Sequence, residues 1–403
     1  VSPVKTAPAQ LIAADAQLRG QYLREVLALL YPMDTPGEPP GTEYLVIPDA
    51  RRPKLLVPMG SRRVAIAAVR RFTEPQSRLA RLKRDAVVLA LRSGAWPALL
   101  RDRVRPPGGD NIERYLREAM GTELALSVHI GPARANRKPV LQLLSPAGDT
   151  LGFAKLGTGP LTRRLVRAET AALTALSHVR LDHLRVPLVV HSGQWHGHQV
   201  LVQSPLPVWL PREPVSPARL VEAMREVAAA CGTTQGWLAT SPYWTDLRNR
   251  LAQVADQSEG QELGEAARKL VDACSDLGLR YGAWHGDWAP WNMANTTEGL
   301  LVWDWERFTP GVPLGFDALH HDLQRRLQSG VEPRHAVEQT VRNAGGLLNQ
   351  FDVVPDSAEI TALLYLVDLA ARYLADRQAE AGARLGVLGT WLLPVLVSRV
   401  GRL

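Results

Sequence analysis

Residues 284–293, W-H-G-D-W-A-P-W-N-M, set a histidine, a carboxylate and an amide among three tryptophans. Polar side chains in such apolar company either form a buried turn with satisfied hydrogen bonds or handle charge away from bulk water. The run continues A-N-T-T-E-G-L-L-V-W-D-W-E, ending at Glu306. Asn292 and Asp304 supply oxygen atoms, the ligands that a hard divalent cation such as magnesium prefers. Residues 293–295 and 300–303 are spaced as the arms of a tight hairpin around 296–299. A hairpin returns its ends to one place, so the spacing predicts that Asn292 and Asp304 face each other. Asp287, on the turn leading into the hairpin, is suited to accept a proton from a hydroxyl and to orient it. Asp287 and His285 are the candidate catalytic residues, His285 by holding the loop through hydrogen bonds rather than as a base. Gly286 lets the backbone turn sharply between them.

These residues need elements to hold them. Upstream, ELALSVHIG, PVLQLLSP and LGFAKLG read as strands of a β-meander that begins near residue 119. PLTRRLVRAETAALTALSH carries Leu165, Ala168, Ala172, Leu173 and Leu176 at helical spacing. RVPLVVHSGQW and HQVLVQSPLP give two further strands. After Pro211 helices are expected over 216–231, 243–256, 262–279 and much of 315–400, with the hairpin among them. At the other end, residues 1–33 read as a helix and PMDTPGEPPGT as a linker. EYLVIP, KLLVP and RRVAIAAVRRF read as short strands, and SRLARLKRDAVVLALRSG as a basic helix ending near Gly94. The breaker cluster RVRPPGGDN marks a boundary, so three domains are expected: 1–118, 119–205 and 206–403.

The chain of 403 residues, 46% hydrophobic and 22% charged, has the composition of a soluble globular protein with room for two or three domains. Its two cysteines, Cys231 and Cys274, lack metal-ligand spacing and argue against a disulfide framework. The first residues show no basic stretch followed by a long apolar core, so no secretory signal is expected. No run approaches the roughly 20 apolar residues of a membrane span. The expected location is cytoplasmic. Of the net charge of +7, residues 61–105 hold more than all, with twelve Lys/Arg against Glu74, Asp85 and Asp102. Such an excess is a solvated face, or it attracts phosphates, nucleic acid or an anionic membrane. No motif supports nucleic acid, and none is expected as partner. The uncharged stretch LGVLGTWLLPVLVS is too short to span a bilayer. It reads as an interfacial segment or as a buried final helix kinked at Pro394. Peripheral contact with an anionic membrane surface therefore stays open.

Strands with a lysine, a helix with a glutamate, more strands and a helical half stand in kinase order. H-G-D-x-x-x-x-N followed by D-W-E resembles the aminoglycoside phosphotransferase and choline kinase superfamily, over residues 119 to 403. The related protein kinases use H-R-D-x-x-x-x-N and D-F-G. The resemblance implies an α+β, bilobal protein-kinase-like fold, with a β-rich N-lobe, a mainly helical C-lobe and an extra N-terminal α/β domain. It implies an enzyme that uses ATP (or GTP) and Mg2+ to phosphorylate a hydroxyl of a small molecule: a sugar, aminosugar, aminoglycoside or amino alcohol. Asn292 and Asp304 would then hold the metal ion. Lys155 would reach the nucleotide phosphates, fixed by Glu169, while Arg163, Arg164 and Arg167 compete for that role. Gly131 stands alone where protein kinases show three glycines, and backbone N–H groups around 133–136 would cradle phosphate. Val202, Gln203 and Ser204 fall at the superfamily's adenine hinge, and Asp317 at the aspartate that braces the catalytic loop.

Five of the eleven tryptophans fall at 284, 288, 291, 303 and 305. Trp284 and Trp303 are expected as core beneath the loop. Trp288, Trp291 and Glu306 are the candidate acceptor-site residues, and tryptophan faces suit sugar rings, cations and apolar tails alike. Maltokinase-like sugar kinases of the superfamily carry an added N-terminal domain of the size of 1–118, which makes that segment a cap-like accessory. Two rival readings are a pseudokinase scaffold and a kinase of peptide Ser/Thr. Lys155, Glu169, Asp287, Asn292 and Asp304 are all intact, against the first. No activation segment ending in A-P-E follows residue 305, against the second. Oligomeric state has no signature in the sequence.

Overall fold

The computed structural model describes residues 8–32, 40–71, 78–131, 136–379 and 385–403. They fall into two compact units, 1–170 with 187–212 and 171–186 with 213–403. The first opens with α1 (Pro8–Leu30), β1 (Tyr44–Ile47), β2 (Leu55–Pro58), α2 (Arg62–Arg70) and α3 (Arg78–Ser93). The short α4 (Trp96–Leu99), β3 (Arg103–Val104) and α5 (Ile112–Met120) come next. Then come β4 (Ala125–His129), β5 (Val140–Leu144), β6 (Thr150–Gly157) and α6 (Pro160–Leu176). After β7 (Leu184–Arg185), which belongs to the second unit, β8 (Val189–Trp195) and β9 (His198–Gln203) complete the first.

All eight strands of the first unit join one sheet in the order β3-β1-β2-β4-β5-β6-β9-β8. The strands before residue 119 are thus continuous with those after it: β2 pairs antiparallel with β4 through Leu55↔His129 and Leu56↔Val128. Side chains alternate across the sheet. Val46, Leu56, Leu126, Val128, Ala154 and Leu156 face a core shared with α1 and α5. Leu45, Val57 and Leu144 face α2 and α3 on the other side.

Within RRVAIAAVRRF, Arg62–Arg70 form a helix, α2, and not the expected strand. Val64, Ala65, Ala67 and Ala68 are its buried residues. That spacing is one helical face, and alanine favours a helix over a strand. The basic helix α3 ends before Gly94, whose φ of +80° stops it.

The second unit contains α7 (Pro217–Ala229), β10 (Thr234–Trp237), α8 (Pro242–Ala252), α9 (Ser258–Ala273) and β11 (Gly278–Trp284). The hairpin is β12 (Met293–Thr296) and β13 (Gly299–Val302), followed by β14 (Thr309–Pro313). Helices α10 (Phe316–Gln328), α11 (Pro333–Arg342), α12 (Ala344–Leu348), α13 (Pro355–Ala375) and α14 (Leu393–Val400) close it. β10-β11-β14 form a small sheet that no pattern in the sequence announces. β14 reads T-P-G-V-P, and its prolines are tolerated because it is an edge strand. α13 is buried around nearly its whole girth, from Ser357 to Leu374. The C-terminal apolar stretch packs into the same core through Leu388, Trp391, Leu392, Leu393, Val395 and Leu396. Pro394 sits in the first turn of α14, where its missing N–H costs nothing, so it starts the helix and does not kink it. Among the described residues no helix is long and apolar enough to cross a membrane.

Candidate active site

In the first unit Lys155 lies on β6 between Val140 of β5 and Leu201 of β9. Its neighbours Ala154 and Leu156 face α1 and α5, so alternation turns Lys155 to the other face. There its Nζ donates to both carboxylate oxygens of Glu169 on α6, at 2.6 and 2.8 Å. Both side chains are buried, so this is no solvated surface pair. Arg163 and Arg167 instead donate to the Gly197 carbonyl and to Gln199 Oε1 on the β8–β9 hairpin, and Arg164 is exposed. They stand on a different side of α6 from Glu169, since positions 163 and 167 share a helical face that 169 does not.

Gly131 is half-buried, and the expected phosphate cradle at 133–136 falls mostly outside the described residues. At the hinge position, Ser204 exchanges hydrogen bonds with Leu188: its N–H donates to the Leu188 carbonyl and its Oγ accepts from the Leu188 N–H, both at 2.8 Å. Those bonds close the end of the β8–β9 ladder, so the Ser204 amide is not open to a base. Gln203 is buried, with its side-chain Nε2 lacking a partner.

In the second unit the H-G-D loop leaves β11 after Trp284. The N–H groups of His285 and Gly286 donate to the two carboxylate oxygens of Asp317, in the first turn of α10, at 2.7 and 3.2 Å. Gly286 has φ +82°, and a Cβ there would collide with the Arg307 carbonyl oxygen. Arg372 of α13 donates to the Gly286 carbonyl at 2.5 Å and covers the Trp284 ring. His285 accepts the Asp287 N–H on Nδ1 at 3.1 Å and donates from Nε2 to the Trp303 carbonyl at 3.1 Å. Both ring nitrogens are spent on backbone, and burial pulls the imidazole pKa down to about 4. His285 is a neutral strut of the loop.

The Asp287 carboxylate is gripped at both oxygens. Asn292 Nδ2 donates to Oδ2 at 2.8 Å, and His320 Nε2 of α10 donates to Oδ1 at 3.1 Å. Burial alone would raise this carboxyl, but the His320 hydrogen bond, helped by the Arg372 charge, outweighs it and holds the pKa below the ordinary value. A carboxylate has about four lone-pair sites, so each oxygen keeps one for an incoming hydroxyl.

The hairpin pairs Met293 with Val302, Ala294 with Leu301, Asn295 with Leu300 and Thr296 with Gly299. The Trp303 N–H donates to the Asn292 carbonyl at 3.1 Å, which carries the pairing to the position next to Asp304. Because the Asn292 amide nitrogen is turned to Asp287, its oxygen points the other way. That oxygen and the Asp304 carboxylate are hard donors that fit a magnesium ion. Asp304 lies near enough to Asp287 for its charge to push the Asp287 carboxyl upward. It adopts φ +73°, outside the strand region, so the chain leaves the hairpin there. Trp303 is only half-buried, and the indole beneath the loop is Trp305, 4.5 Å from the His285 ring. Trp288 is fully buried, and its ring packs against His285; it is closed to an acceptor. Trp291 is 36% exposed, whereas Glu306 is buried beside Trp305.

His320, Tyr365 and Arg372 are site residues that sequence reasoning missed. One signal was present: Asp317 and His320 are spaced i,i+3 in G-F-D-A-L-H-H-D, hence on one helical face. Tyr365 and Arg372 lie on a helix whose docking no local pattern announces.

Residues 153–321 match the phosphotransferase enzyme family known as APH. No curated protein matches the chain. Among solved structures, the chain is similar to the apo form of a thermostable mutant of aminoglycoside phosphotransferase APH(4)-Ia, at 15% identity and a TM-score of 0.45, covering 72% of this chain and 99% of that one. Spectinomycin phosphotransferase APH(9)-Ia is 11% identical with a TM-score of 0.41, over 72% and 98% of the two chains. Amicoumacin kinase hAmiN is 13% identical with a TM-score of 0.40, over 66% and 84%. The family match spans Lys155, Glu169, the H-G-D loop, Asn292, Asp304 and Asp317, so residues 153–321 are similar to that phosphotransferase enzyme family in the segment that carries every polar residue of the candidate site.

Proposed function

We propose that this enzyme transfers the γ-phosphate of ATP, or of GTP, to a hydroxyl of a small polar acceptor such as a sugar, aminosugar, aminoglycoside or amino alcohol. The observation that carries this reading is the doubly gripped Asp287 carboxylate, ionised and with a lone pair free on each oxygen. Phosphoryl transfer asks the protein mainly for positioning and for charge neutralisation. Asp287 aligns the acceptor hydroxyl and takes its proton as the oxygen forms its bond to phosphorus. Lys155, its ammonium fixed by Glu169, holds the nucleotide phosphates. Asn292 and Asp304 hold Mg2+, which when bound neutralises phosphate charge. Asp317, His285 and Arg372 keep the loop in shape. Trp291, which is 36% exposed, is the acceptor-side candidate that remains, since Glu306 is buried as Trp288 is. The free thiols of Cys231 and Cys274 suit a reducing cytoplasm.

For the basic segment we propose a docking role on an anionic lipid surface. α3 leaves Leu79, Leu82 and Leu89 63–67% exposed on the side away from α2, next to exposed Arg81, Lys83 and Arg92. Apolar side chains flanked by cations complement an anionic bilayer.

The test is a screen with γ-labelled ATP and magnesium across sugars, aminosugars, aminoglycosides, choline-like amines and peptides, alongside thermal shift. Label on a small hydroxyl compound, with nucleotide-dependent stabilisation, is expected. No shift and no transfer would leave a scaffold, and transfer to peptide alone would make it a peptide kinase.

A further inference from the structure

We infer that His320 and Tyr365 are positioning residues for Asp287: the Tyr365 hydroxyl holds the His320 ring at Nδ1, and the ring's Nε2–H pins one oxygen of the reacting carboxylate. The inference rests on the reading that Asp287 faces the acceptor.

Three groups joined in series by hydrogen bonds carry it. Tyr365 on α13 lies 3.0 Å from His320 Nδ1, and both side chains are buried. A neutral imidazole carries one N–H, and which nitrogen bears it follows from its partners. Nε2 faces Asp287 Oδ1 at 3.1 Å, and an ionised carboxylate only accepts, so the imidazole proton resides on Nε2 and Nδ1 accepts the phenol proton. The opposite tautomer would set an Nε2 lone pair against a carboxylate oxygen with no hydrogen between them. Burial and the neighbouring Arg372 charge disfavour a second proton on the ring.

The arrangement fixes the carboxylate plane. Asn292 holds Oδ2 from within the loop, and one anchor alone leaves the group free to turn about its Cβ–Cγ bond. His320 supplies the second anchor from α10, an element that also holds the loop backbone through Asp317. Tyr365 brings in α13, which holds Gly286 through Arg372. His320 is no relay: its Nδ1 is occupied, so the acceptor proton ends on Asp287. Its contribution is alignment, and misplacing a reacting group by about 1 Å costs on the order of a hundredfold in rate.

The experiment compares His320→Leu, His320→Gln, Tyr365→Phe and His320→Leu/Tyr365→Phe. The assay is transfer of label from γ-labelled ATP to the acceptor found by screening, or to water if none is found. Melting temperature and ATP affinity are measured on each variant. His320→Leu is expected to lower kcat about thirtyfold or more, with the KM for ATP within about twofold of the unmodified enzyme. Glutamine reaches toward the Nε2 position with an N–H, so His320→Gln should restore most of the loss. Tyr365→Phe should lower kcat several-fold on its own and add nothing in the His320→Leu background, because it acts through the imidazole. Unchanged kcat in folded His320→Leu, or His320→Gln no better than leucine, overturns the inference. If the leucine variant fails to fold, an unchanged kcat in Tyr365→Phe overturns it equally. Asp287→Ala separates the two failures: an inactive Asp287→Ala with a normal His320→Leu sinks only the positioning pair, whereas an active Asp287→Ala sinks the assignment of Asp287 itself.

Discussion

Asp287 is set apart from ordinary loop carboxylates by two side-chain donors, from Asn292 and His320, on its two oxygens. His285, two residues earlier, works in the opposite sense: its buried ring is kept neutral. The unfolded imidazole titrates near 6.5 and the folded one near 4. The unfolded chain therefore binds a proton that the folded chain refuses, and this stability is present above pH 6.5 and fades as pH falls toward 4. Asp317 has the reverse sign. Burial raises its carboxyl to about 7, so its contribution is lost as pH rises through that value. Comparing urea unfolding of the unmodified protein with His285→Gln isolates the histidine. The stability advantage of the histidine should shrink by about 2 kcal/mol between pH 7 and pH 5; a pH-independent difference would contradict the neutral strut. Lys155 gives a second expectation. Lys155→Met strands Glu169 in a buried site and should cost about 3 kcal/mol, with much of it recovered in Lys155→Met/Glu169→Leu. Equal losses in the single and double variants would mean that the pair is not energetically coupled. Asp287, Asn292, Asp304, Lys155 and Glu169 were legible because each stands in a motif of fixed spacing. His320 and Tyr365 were not, because 45 residues separate the partners of that hydrogen bond.

Elements whose apolar period is unambiguous were readable. The β4–β6 meander, α6 and the β12–β13 hairpin fall where alternation or helical spacing placed them. Errors arose where composition and period disagree. RRVAIAAVRRF is short and apolar enough to pass as a strand, yet its buried positions follow a helix. β11 reads G-L-R-Y-G-A-W, and its alternation ends after Tyr281 where both faces become buried. Trp303, expected in the core, is half-buried at the point where Asp304 leaves the strand with a left-handed backbone. α3 yields a prediction at this scale. Its buried Val88 and Leu91 hold it to the unit, while Leu79, Leu82 and Leu89 are spare. Replacing those three leucines by serine should leave the melting temperature unchanged. It should reduce co-sedimentation with vesicles containing phosphatidylserine about tenfold or more, with little binding to neutral vesicles in either protein. An unmodified protein that ignores anionic vesicles would contradict the lipid-docking reading.

At the scale of the whole molecule, the segment before residue 119 shares a sheet and a core with the β4–β9 strands. β1, β2 and β3 extend the strand order past β4, and Tyr22, Val26, Tyr44 and Ile112 pack with Leu126, Val128 and Leu156. Removing residues 1–118 would leave β4 with an unpaired edge and bare apolar side chains, a recipe for aggregation. The truncated chain is expected to be insoluble; a soluble, monomeric and active 119–403 fragment would show that the segment is a separable accessory. The central claim concerns the loop itself and is tested most directly by Asp287→Ala, measured for label transfer from γ-labelled ATP and for ATP binding by calorimetry. Turnover should vanish while nucleotide affinity stays within a few-fold of the unmodified enzyme. Near-normal turnover in that variant would contradict the assignment.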